Sequence, residues 1–386
     1  MREAGRVLFL THVGDPGGAE MKMIDLCQAT RGCAEVMLFQ HGSLEEILRR
    51  QAIAVSVCAM PSSARDVRRE GGLRSIARAV PAVLAMIRNV ARKGRQFDVV
   101  VCFSQKSFML ASLAKPFMRR PILWFMNDIL SPEHFSRTMI RLLVLVSRFS
   151  ADHIALNSQA SLRAWRSAGG RESAVSVIYP GLQVEQIMGQ LQDLRAIALY
   201  KSKYSPKGKP LVGMFGRIGR WKGQDVFLRA IARLPDARAV IVGGALFGEE
   251  EYERKVRRLA SDLGLEDRVV FVGHVSEVIT LMAACDVVAH CSTAPEPFGL
   301  VIAEAMLAGT PVIASDAGGV REIVTPEETG QLTPLEDHEA LAAAISRYLA
   351  NPQWAREIAG RANIRAREKF SGAAMTAGFF AALAVL

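Results

Sequence analysis

Short apolar runs alternate with amphipathic stretches along most of the chain, and this alternation predicts an α/β protein. In the first half, each apolar run is followed by a polar or glycine-rich turn and then by a helical pattern. Strands separated by helices pair in parallel, so we expect a parallel sheet with helices on both faces. The predicted strands of this half are Val7–His12, Val36–Phe39, Val55–Cys58, Val99–Phe103, Ile122–Phe125, His153–Asn157 and Ala174–Ile178.

The second half repeats this design after a break in the pattern. Pro180 and Gly181 end the first alternation, and residues 185–208 are interpreted as a linker. We therefore predict two doubly wound domains, residues 1–183 and 184–386, with a ligand cleft between them at the carboxyl ends of their strands. The strands predicted in the second half are Leu211–Phe215, Ala239–Val242, Val269–Val272, Val287–His290 and Pro311–Ala314. The helices predicted there are Gln224–Leu234, Tyr252–Leu263, Ser276–Ala284, Gly299–Ala308, His338–Ala350 and Gln353–Phe370.

Residues 292–324 are the most informative part of the chain. Their sequence, STAPEPFGLVIAEAMLAGTPVIASDAGGVREIV, predicts a loop, a buried helix, a buried strand and a glycine turn in succession. The helix is expected over Gly299–Ala308, because Gly309 suits a left-handed C-cap.

Two acids make this segment a candidate ligand site. Glu304 has only apolar neighbours three and four residues away, and an ionised carboxylate there is costly unless it is paired or meets a polar ligand. Glu296 lies in the loop before the helix, where the N–H groups of Phe298, Gly299 and Leu300 favour an anion. This combination suits a polyhydroxylated ligand that carries phosphate. The alternative is a core helix in which an arginine neutralises Glu304.

A second candidate segment is the loop GRIGRWKG, which begins at Gly216 after the first predicted strand of the second half. Arg217 and Lys222 lie in this strand-to-helix turn. A guanidinium fork and an ammonium together neutralise a departing diphosphate without a metal. Ordinary exposed charges are the alternative for this pair, and Arg220 between them is interpreted as a surface charge.

The charge of the chain is unevenly distributed. Of its 386 residues, 48 are Lys or Arg and 38 are Asp or Glu, a formal net charge of +10. Residues 1–183 hold 25 basic and 14 acidic residues, whereas the rest of the chain holds 23 and 24. No nucleic-acid recognition motif accompanies the basic half, so an anionic membrane surface or an acidic acceptor is the favoured partner.

Residues 73–95 form a basic amphipathic pattern in this half, and Pro81 is expected to kink or interrupt the helix. Leu73, Ile76, Val80, Leu84 and Ile87 share the predicted apolar face, and the opposite face carries Arg74, Arg78, Arg88, Arg92 and Arg95. A helix that covers the sheet explains the pattern, and a peripheral membrane contact is the alternative.

The compartment is predicted from what the sequence lacks. No apolar run is long enough for a transmembrane helix, and the N-terminal residues do not form a signal-peptide pattern. The six cysteines have no CxxC spacing and are expected to be reduced core residues rather than zinc ligands or disulfides. We expect a cytoplasmic protein, peripheral at the membrane face.

The pattern E-PFGLVIA-E followed by MLAGTPVIASDAGGVREIV resembles the E-x7-E signature of glycosyltransferase family 4, whose members use nucleotide sugars and have the GT-B fold. The resemblance covers nearly the whole chain. It implies a retaining transferase that moves a sugar from a nucleoside diphosphate to a hydroxyl acceptor, in cell-envelope glycan or glycolipid synthesis.

The same resemblance implies roles for individual residues in the second half. Arg217 and Lys222 match a GR-x4-KG motif that holds the donor diphosphate. Glu296 would orient the donor sugar and Glu304 the ribose hydroxyls. Positions similar to Gly243, His274 and Val275 line the nucleotide in family members.

In the first half, Gly17 and Gly18 resemble a GGxE-like loop close to the donor diphosphate and acceptor, although a simple tight turn explains them equally well. Family members often have a histidine near the end of the fifth strand that meets the donor sugar. This chain has Asn127 and Asp128 there instead, and His134 is a candidate substitute.

The resemblance implies no cofactor and no metal, and the sequence has no Asp-x-Asp pair. The expected partners are a nucleotide-sugar donor, a hydroxyl acceptor and an anionic membrane surface, without nucleic acid. A sugar-nucleotide epimerase or hydrolase of the same fold and a non-catalytic membrane- or partner-binding protein stay as alternatives. Eight residues of helix rise about 12 Å, which exceeds the carboxylate spacing of glycosidases and disfavours a glycosidase-like use of Glu296 and Glu304.

Overall fold

The computed structural model describes residues 5–60, 73–245 and 248–386, without the side chains of residues 73–79. The chain divides into two compact units. Unit 1 comprises the chain up to Tyr179 together with Met375–Leu386, and unit 2 comprises Pro180–Ala374.

Unit 1 is built on a seven-stranded parallel sheet. Its strands are β1 (Val7–Thr11), β2 (Ala34–Leu38), β3 (Ala54–Val57), β4 (Val99–Cys102), β5 (Ile122–Met126), β6 (His153–Leu156) and β7 (Val175–Val177). Its helices are α1 (Gly18–Ala29), α2 (Ser43–Arg50), α3 (Leu73–Gly94), α4 (Gln105–Met118), α5 (Arg137–Ser150) and α6 (Gln159–Ser167). The strand order β3-β2-β1-β4-β5-β6-β7 is that of a doubly wound sheet, so the prediction of this fold class is confirmed.

Helices cover both faces of this sheet, which explains why its strands are nearly continuous apolar runs. In β1, Leu8 and Leu10 belong to a core with residues of α3, α4, α5 and α6. Val7 and Phe9 belong to the opposite core, with residues of α1, α2 and the C-terminal end of the chain. The helices α3, α4 and α5 therefore lie on one face of the sheet.

Unit 2 contains a six-stranded parallel sheet. Its strands are β8 (Leu211–Phe215), β9 (Arg238–Val242), β10 (Val269–Gly273), β11 (Val287–His290), β12 (Val312–Ser315) and β13 (Gln331–Thr333). Its helices are α7 (Val184–Gln190), α8 (Leu194–Tyr204), α9 (Gln224–Ala232), α10 (Glu250–Asp262), α11 (Val278–Ala284), α12 (Leu300–Leu307), α13 (Val320–Ile323), α14 (His338–Ala350) and α15 (Pro352–Lys369). The strands are ordered β10-β9-β8-β11-β12-β13, again a doubly wound sheet.

Most predicted strands and helices agree with the structure to within a few residues, but several expectations differ from it. The supposed linker at residues 185–208 is helical, because α7 and α8 bury Ile187 and Tyr204 and α8 packs on α11. Strand β13 was not predicted; its three residues pair with β12 at the sheet edge. Helix α3 runs without interruption across Pro81.

The last helix, α16 (Gly372–Ala384), was not predicted, and residues 375–386 were assigned to the second domain, whereas they belong to unit 1. Phe379 is fully buried there and stacks on Phe9 with 5.8 Å between ring centroids. The predicted boundary after residue 183 lies close to the observed one after Tyr179. Its assignment of residues 375–386 is wrong because the apolar side of α16 completes the core of unit 1.

The faces of α3 also differ from the predicted ones. Its buried residues include Met86 and Val90, which pack in the core, whereas Val80 and Leu84 are exposed. Arg88 is exposed as well, so apolar and basic side chains share the outward side. The predictions for the side chains at positions 73, 74, 76 and 78 concern side chains that the structure does not describe. Across the described parts of the chain, no helix combines the length and apolar character needed to cross a bilayer.

Candidate active site

Both candidate segments of unit 2 lie at the same edge of its sheet. Strands β8 and β11 are neighbours, and the direction of strand order reverses between them. In doubly wound sheets, ligands bind beyond the carboxyl ends of the two strands at such a switch point. Arg217 and Lys222 follow β8, and Glu296 follows β11.

The loop after β8 is fixed by hydrogen bonds to its backbone. Gly216 has a φ of +126°, and its N–H donates to the carbonyl oxygen of Val242 at 2.9 Å. The buried side chain of Gln224, at the start of α9, donates to the carbonyl of Arg217 at 2.9 Å and accepts from the N–H of Gly219 at 3.4 Å. These hydrogen bonds fix the backbone on both sides of Ile218. Arg217, whose carbonyl takes part in them, is an exposed residue.

Two glycines allow this loop to touch its neighbours. A Cβ on Gly243 would lie 2.1 Å from the carbonyl oxygen of Gly216, and a Cβ on Gly223 would lie 2.0 Å from that of Cys291. Both glycines have positive φ, at +126° and +73°. The three loops after β8, β9 and β11 are consequently in direct backbone contact.

Glu296 is the centre of a buried polar network. The ammonium of Lys222 lies 3.1 and 3.0 Å from its two carboxylate oxygens, and Ser292 Oγ donates to Oε2 at 2.9 Å. His290 Nε2 lies 3.1 Å from the same oxygen. Because a carboxylate only accepts, His290 Nε2 carries the proton. The Lys222 ammonium also lies 3.9 Å from the centroid of the Trp221 ring, a cation–π contact.

This network keeps Glu296 ionised. Burial raises the pKa of a carboxyl group, but the charge of Lys222 and the hydrogen bond from His290 outweigh burial. The pKa of Glu296 consequently lies well below its ordinary value of 4.5. At neutral pH, the Glu296 carboxylate is therefore the counter-ion of Lys222 inside the protein. An anion that binds to the Lys222 ammonium would do so beside this carboxylate.

The predicted glycine turn supports the backbone of Glu296. The N–H of Gly319 donates to the carbonyl oxygen of Glu296 at 2.8 Å. Gly318 has a φ of +66°, and a Cβ there would lie 2.2 Å from that oxygen. The second glycine is equally constrained, because a Cβ on Gly319 would lie 2.5 Å from the carbonyl oxygen of Pro297.

Helix α12 confirms the predicted helix to within a residue. It begins after Gly299, which has a φ of +114°, and Gly309 follows its end with a φ of +73°. Phe298 is buried and packs edge-on against Phe370 at 5.2 Å. Glu304 is half-buried on α12, and Leu300 is half-buried one turn before it.

The remaining predicted residues of unit 2 lie in the loops after β9 and β10. The N–H of Gly243 donates to the carbonyl oxygen of Gly273 at 2.8 Å, which joins the two loops. His274 is exposed and Val275 is half-buried. Arg220 is exposed and lies 3.6 Å from Glu249, as a surface charge would.

In unit 1, Gly17 and Gly18 begin α1. The N–H of Gly17 donates to Glu20 Oε2 at 3.0 Å, and Thr11 Oγ1 donates to Glu20 Oε1 at 3.3 Å. Burial raises the pKa of Glu20, and the nearby charge of Asp128 acts in the same direction. The glycine loop and the end of β5 therefore lie close together.

The two polar residues after β5 are both half-buried. The side-chain Nδ2 of Asn127 donates to the backbone carbonyl oxygen of Phe103 at 3.2 Å. The backbone carbonyl oxygen of Asn127 accepts a hydrogen bond from Asn157 Nδ2 at 2.7 Å. Asp128 accepts a hydrogen bond from the side chain of Gln105. These bonds tie Asn127 to the neighbouring strands β4 and β6.

Several polar residues at these edges were missed by the sequence analysis. In unit 2 they are Gln224, His290 and Ser292. The sequence His-Cys-Ser, which starts at the last residue of β11 and precedes an acid, is the signal that could have indicated the last two. In unit 1, His12 follows β1, and burial together with the charge of Lys106 lowers its pKa to about 4. No group of three or more His, Cys, Asp or Glu among the described residues is arranged to hold a metal ion.

Comparison with known proteins agrees with this architecture. A model of the family Glycosyltransferase Family 4 matches residues 16–186, and a model of Glycosyl transferases group 1 matches residues 198–368. The crystal structure of HepE from Anabaena in complex with UDP and glucose is 35% identical, with a TM-score of 0.89 over 99% of this chain and 100% of that one. The sucrose-phosphate synthase of Thermosynechococcus elongatus, 23% identical over 98% of both chains with a TM-score of 0.78, shares the fold.

Curated relatives match over shorter stretches. The lipopolysaccharide core biosynthesis mannosyltransferase LpcC of Rhizobium leguminosarum is 36% identical over 38% of this chain and 42% of its own length. The GDP-mannose-dependent alpha-(1-6)-phosphatidylinositol monomannoside mannosyltransferase of Mycolicibacterium smegmatis is 32% identical over 55% and 57%. The matched part spans about half the length of these relatives.

The two doubly wound units and the full-length likeness to HepE define a protein of the GT-B fold. The chain belongs to glycosyltransferase family 4.

Proposed function

We propose that this protein transfers a sugar from a nucleoside diphosphate to a hydroxyl acceptor, with retention of anomeric configuration. The observation that carries the proposal is the meeting of Lys222 with Glu296 at the switch point of the unit 2 sheet. A cation for a diphosphate and an acid for sugar hydroxyls are the two groups that a nucleotide sugar requires. The full-length likeness to HepE, whose structures contain UDP and UDP-glucose, supports a donor of this class.

We assign the two cations to the leaving group. The C1–O bond to the diphosphate breaks during transfer, and negative charge develops on the departing oxygen. Arg217 and Lys222 stabilise that charge, and both are held by the loop after β8. Phe298, Gly299 and Leu300 present backbone N–H groups for a phosphate, although α12 is short.

The two acids take different parts of the donor in this proposal. Glu304 accepts hydrogen bonds from the ribose, and Glu296 accepts them from the sugar. Gly216, Gly243, His274 and Val275 line the nucleotide through their backbone. In unit 1, Gly17, Gly18, Asn127 and Asp128 are assigned to the sugar and the acceptor.

Retention is proposed to occur on one face of the sugar. The acceptor oxygen forms its bond to C1 on the side from which the diphosphate leaves, and the acceptor proton passes to a diphosphate oxygen. This route balances protons without a further base. Because Arg217 and Lys222 supply positive charge to the departing diphosphate, we propose that the reaction needs no metal. Activity measured in excess EDTA tests this proposal.

The acceptor is proposed to be a cell-envelope glycan or glycolipid at the cytoplasmic membrane face. Two curated relatives support this class of acceptor, because their names refer to lipopolysaccharide core biosynthesis and to phosphatidylinositol monomannoside. The basic excess of residues 1–183 supports a peripheral position on an anionic bilayer.

The experiment that tests the activity uses UDP-glucose and GDP-mannose as first donors. Purified protein is incubated with each donor, EDTA and a membrane-lipid extract, and the anomeric configuration of the product is read by NMR. An α-linked product from an α-linked donor supports the proposal. Inverted product, or nucleoside diphosphate released equally well without acceptor, contradicts it and favours an inverting transferase or a hydrolase.

A further inference from the structure

Helices α4 and α5 present large apolar side chains outward, on the side opposite the sheet. Phe149 is 81% exposed and Leu145 is 52% exposed on α5, and Phe117 and Leu113 on α4 are 59% and 53% exposed. Each helix also buries its other face, with Phe108 and Leu143 in the core. These helices are therefore apolar on both sides, although only the inner side packs on the sheet. We call the outward side the α4–α5 face.

The cations around this face lack acidic neighbours on the helices. The sequences of α3, α4 and α5 contain no Asp or Glu. Arg95 donates to the carbonyl oxygen of Phe117 at 2.8 Å, Arg120 to that of Arg95 at 3.1 Å, and Arg148 to that of Gly169 at 2.9 Å. These hydrogen bonds position the guanidinium groups on backbone carbonyls, and none of the three arginines forms an ion pair with another described residue.

A groove of about 690 Å³ opens on the same face. Leu113, Val146 and Phe149 are apolar residues that line it, and Arg119 and Arg120 line it as well. Lys115 and Asp152 also line the groove, with 2.6 Å between the ammonium and a carboxylate oxygen. A lining that combines apolar side chains with arginines suits the boundary between phospholipid headgroups and acyl chains.

We infer that the α4–α5 face is the surface by which unit 1 docks on an anionic phospholipid bilayer. Phe149, Leu145, Phe117 and Leu113 enter the boundary between headgroups and acyl chains, and the surrounding arginines contact lipid phosphates. This inference gives a specific surface to the proposed peripheral location, but it does not depend on the donor chemistry.

Charge favours a bilayer over a second copy of this chain. A symmetric dimer through the α4–α5 face would bring like arginines together, which is unfavourable without intervening acids. A basic surface that serves only for solubility is also disfavoured. Such a surface would not require large exposed apolar side chains such as Phe149 and Phe117.

The test is flotation of the full-length protein with vesicles of phosphatidylcholine alone or mixed with phosphatidylglycerol, at low and high salt. We expect binding to the anionic vesicles that weakens with salt. Phe149→Ser combined with Leu145→Ser should lower partition at least tenfold. The matched control is Ile364→Ser in unit 2, a side chain that is 58% exposed, and it should bind like the unchanged protein.

A second pair of variants separates position from net charge. Arg141 and Arg148 are exposed on α5, four residues before Leu145 and one before Phe149. Arg141→Gln with Arg148→Gln removes these two charges, and each basic residue near such a surface contributes about fivefold to partition. Arg254→Gln with Arg258→Gln removes two charges from exposed positions in unit 2 and should have no comparable effect.

Circular dichroism and nucleotide binding serve as controls for folding and for the unit 2 site. Equal partition of the apolar variant and the Ile364 control would overturn the inference, as would binding to neutral vesicles with no effect of salt. Self-association that is lost in the Phe149 variant, without vesicle binding, would also overturn it and assign the face to a second copy. Normal nucleotide binding together with any of these results would leave the proposed transferase function standing.

Discussion

The ion pair between Lys222 and Glu296 predicts a measurable coupling in folding stability. The change is a double-mutant cycle of Lys222→Met, Glu296→Gln and both together, in which the substitutions keep side-chain volume. The side chains of Lys222 and Glu296 are only 16% and 11% exposed. Removing one charge of a buried pair leaves the other uncompensated, which costs about 3 kcal/mol or more.

Residual solvent access reduces that cost, so we expect each single variant to lose about 2–3 kcal/mol. The double variant removes both charges and should lose less than the sum, with a coupling energy of about 2 kcal/mol. Glu296→Gln retains an oxygen that accepts from His290 and Ser292, which limits its loss to the charge itself. Urea titrations of the full chain at pH 7, with a separate transition fitted for each unit, measure these free energies.

The pH dependence of this coupling has a definite sign. The pKa of Glu296 is lower in the folded chain than its ordinary value of 4.5. The stabilisation from the ion pair is therefore complete above the ordinary pKa of 4.5. It is lost as the pH falls from 4.5 through the lower pKa of the folded chain. Coupling that is below about 0.5 kcal/mol at pH 7, or that changes between pH 7 and 6, would refute the reasoning. The exposed pair Arg347–Glu327 serves as the control and should show almost no coupling.

Three further predictions concern turnover, ligand binding and the backbone. Arg217→Ala should lower kcat by about a hundred- to a thousandfold, while Arg220→Ala should leave it nearly unchanged; equal losses would remove the leaving-group assignment. In calorimetric titrations, Glu304→Gln should weaken both a nucleoside diphosphate and its sugar, whereas Glu296→Gln should weaken only the sugar nucleotide; identical effects on both ligands would contradict this division. Gly243→Ala should lower stability by at least about 2 kcal/mol, because alanine disfavours positive φ and its Cβ meets the carbonyl oxygen of Gly216; unchanged thermal unfolding would show that the loops can separate.

The architecture could be predicted because local signals coincide with the fold. Apolar runs such as Val99–Phe103 are buried on both faces of a parallel sheet, so their hydrophobicity does not depend on distant partners. Gly309 has the positive φ predicted for a C-cap, and the predicted turn at Gly318 also has positive φ. The loop after β8 likewise begins and ends at glycines whose conformations are restricted.

The missed elements are those whose stability comes from distant contacts. Strand β13 has only three residues and forms by pairing with β12. Helix α16 packs on Phe9, more than 360 residues earlier in the sequence, through Phe379. Helix α8 forms in a mixed, Lys-rich stretch because it packs on α11. No local pattern contains these partners.

The sequence predicted the charged residues of the candidate site but not the contacts between them. Spacing identified Lys222 and Glu296 separately, from two segments 74 residues apart. The sequence could not show that the two form an ion pair, or that His290 and Ser292 complete the network around the carboxylate. These contacts depend on the strand order that places β8 next to β11.

The central claim is that the loop after β8 holds a nucleoside diphosphate through Lys222. Isothermal titration calorimetry of UDP, GDP and ADP in EDTA, with the unchanged protein, Lys222→Met and Arg220→Ala, tests it most directly. We predict one site per chain for at least one nucleotide, with affinity lowered at least tenfold by Lys222→Met and unchanged by Arg220→Ala. Equal affinity of the unchanged protein and Lys222→Met, or no binding of any of the three nucleotides, would contradict the claim.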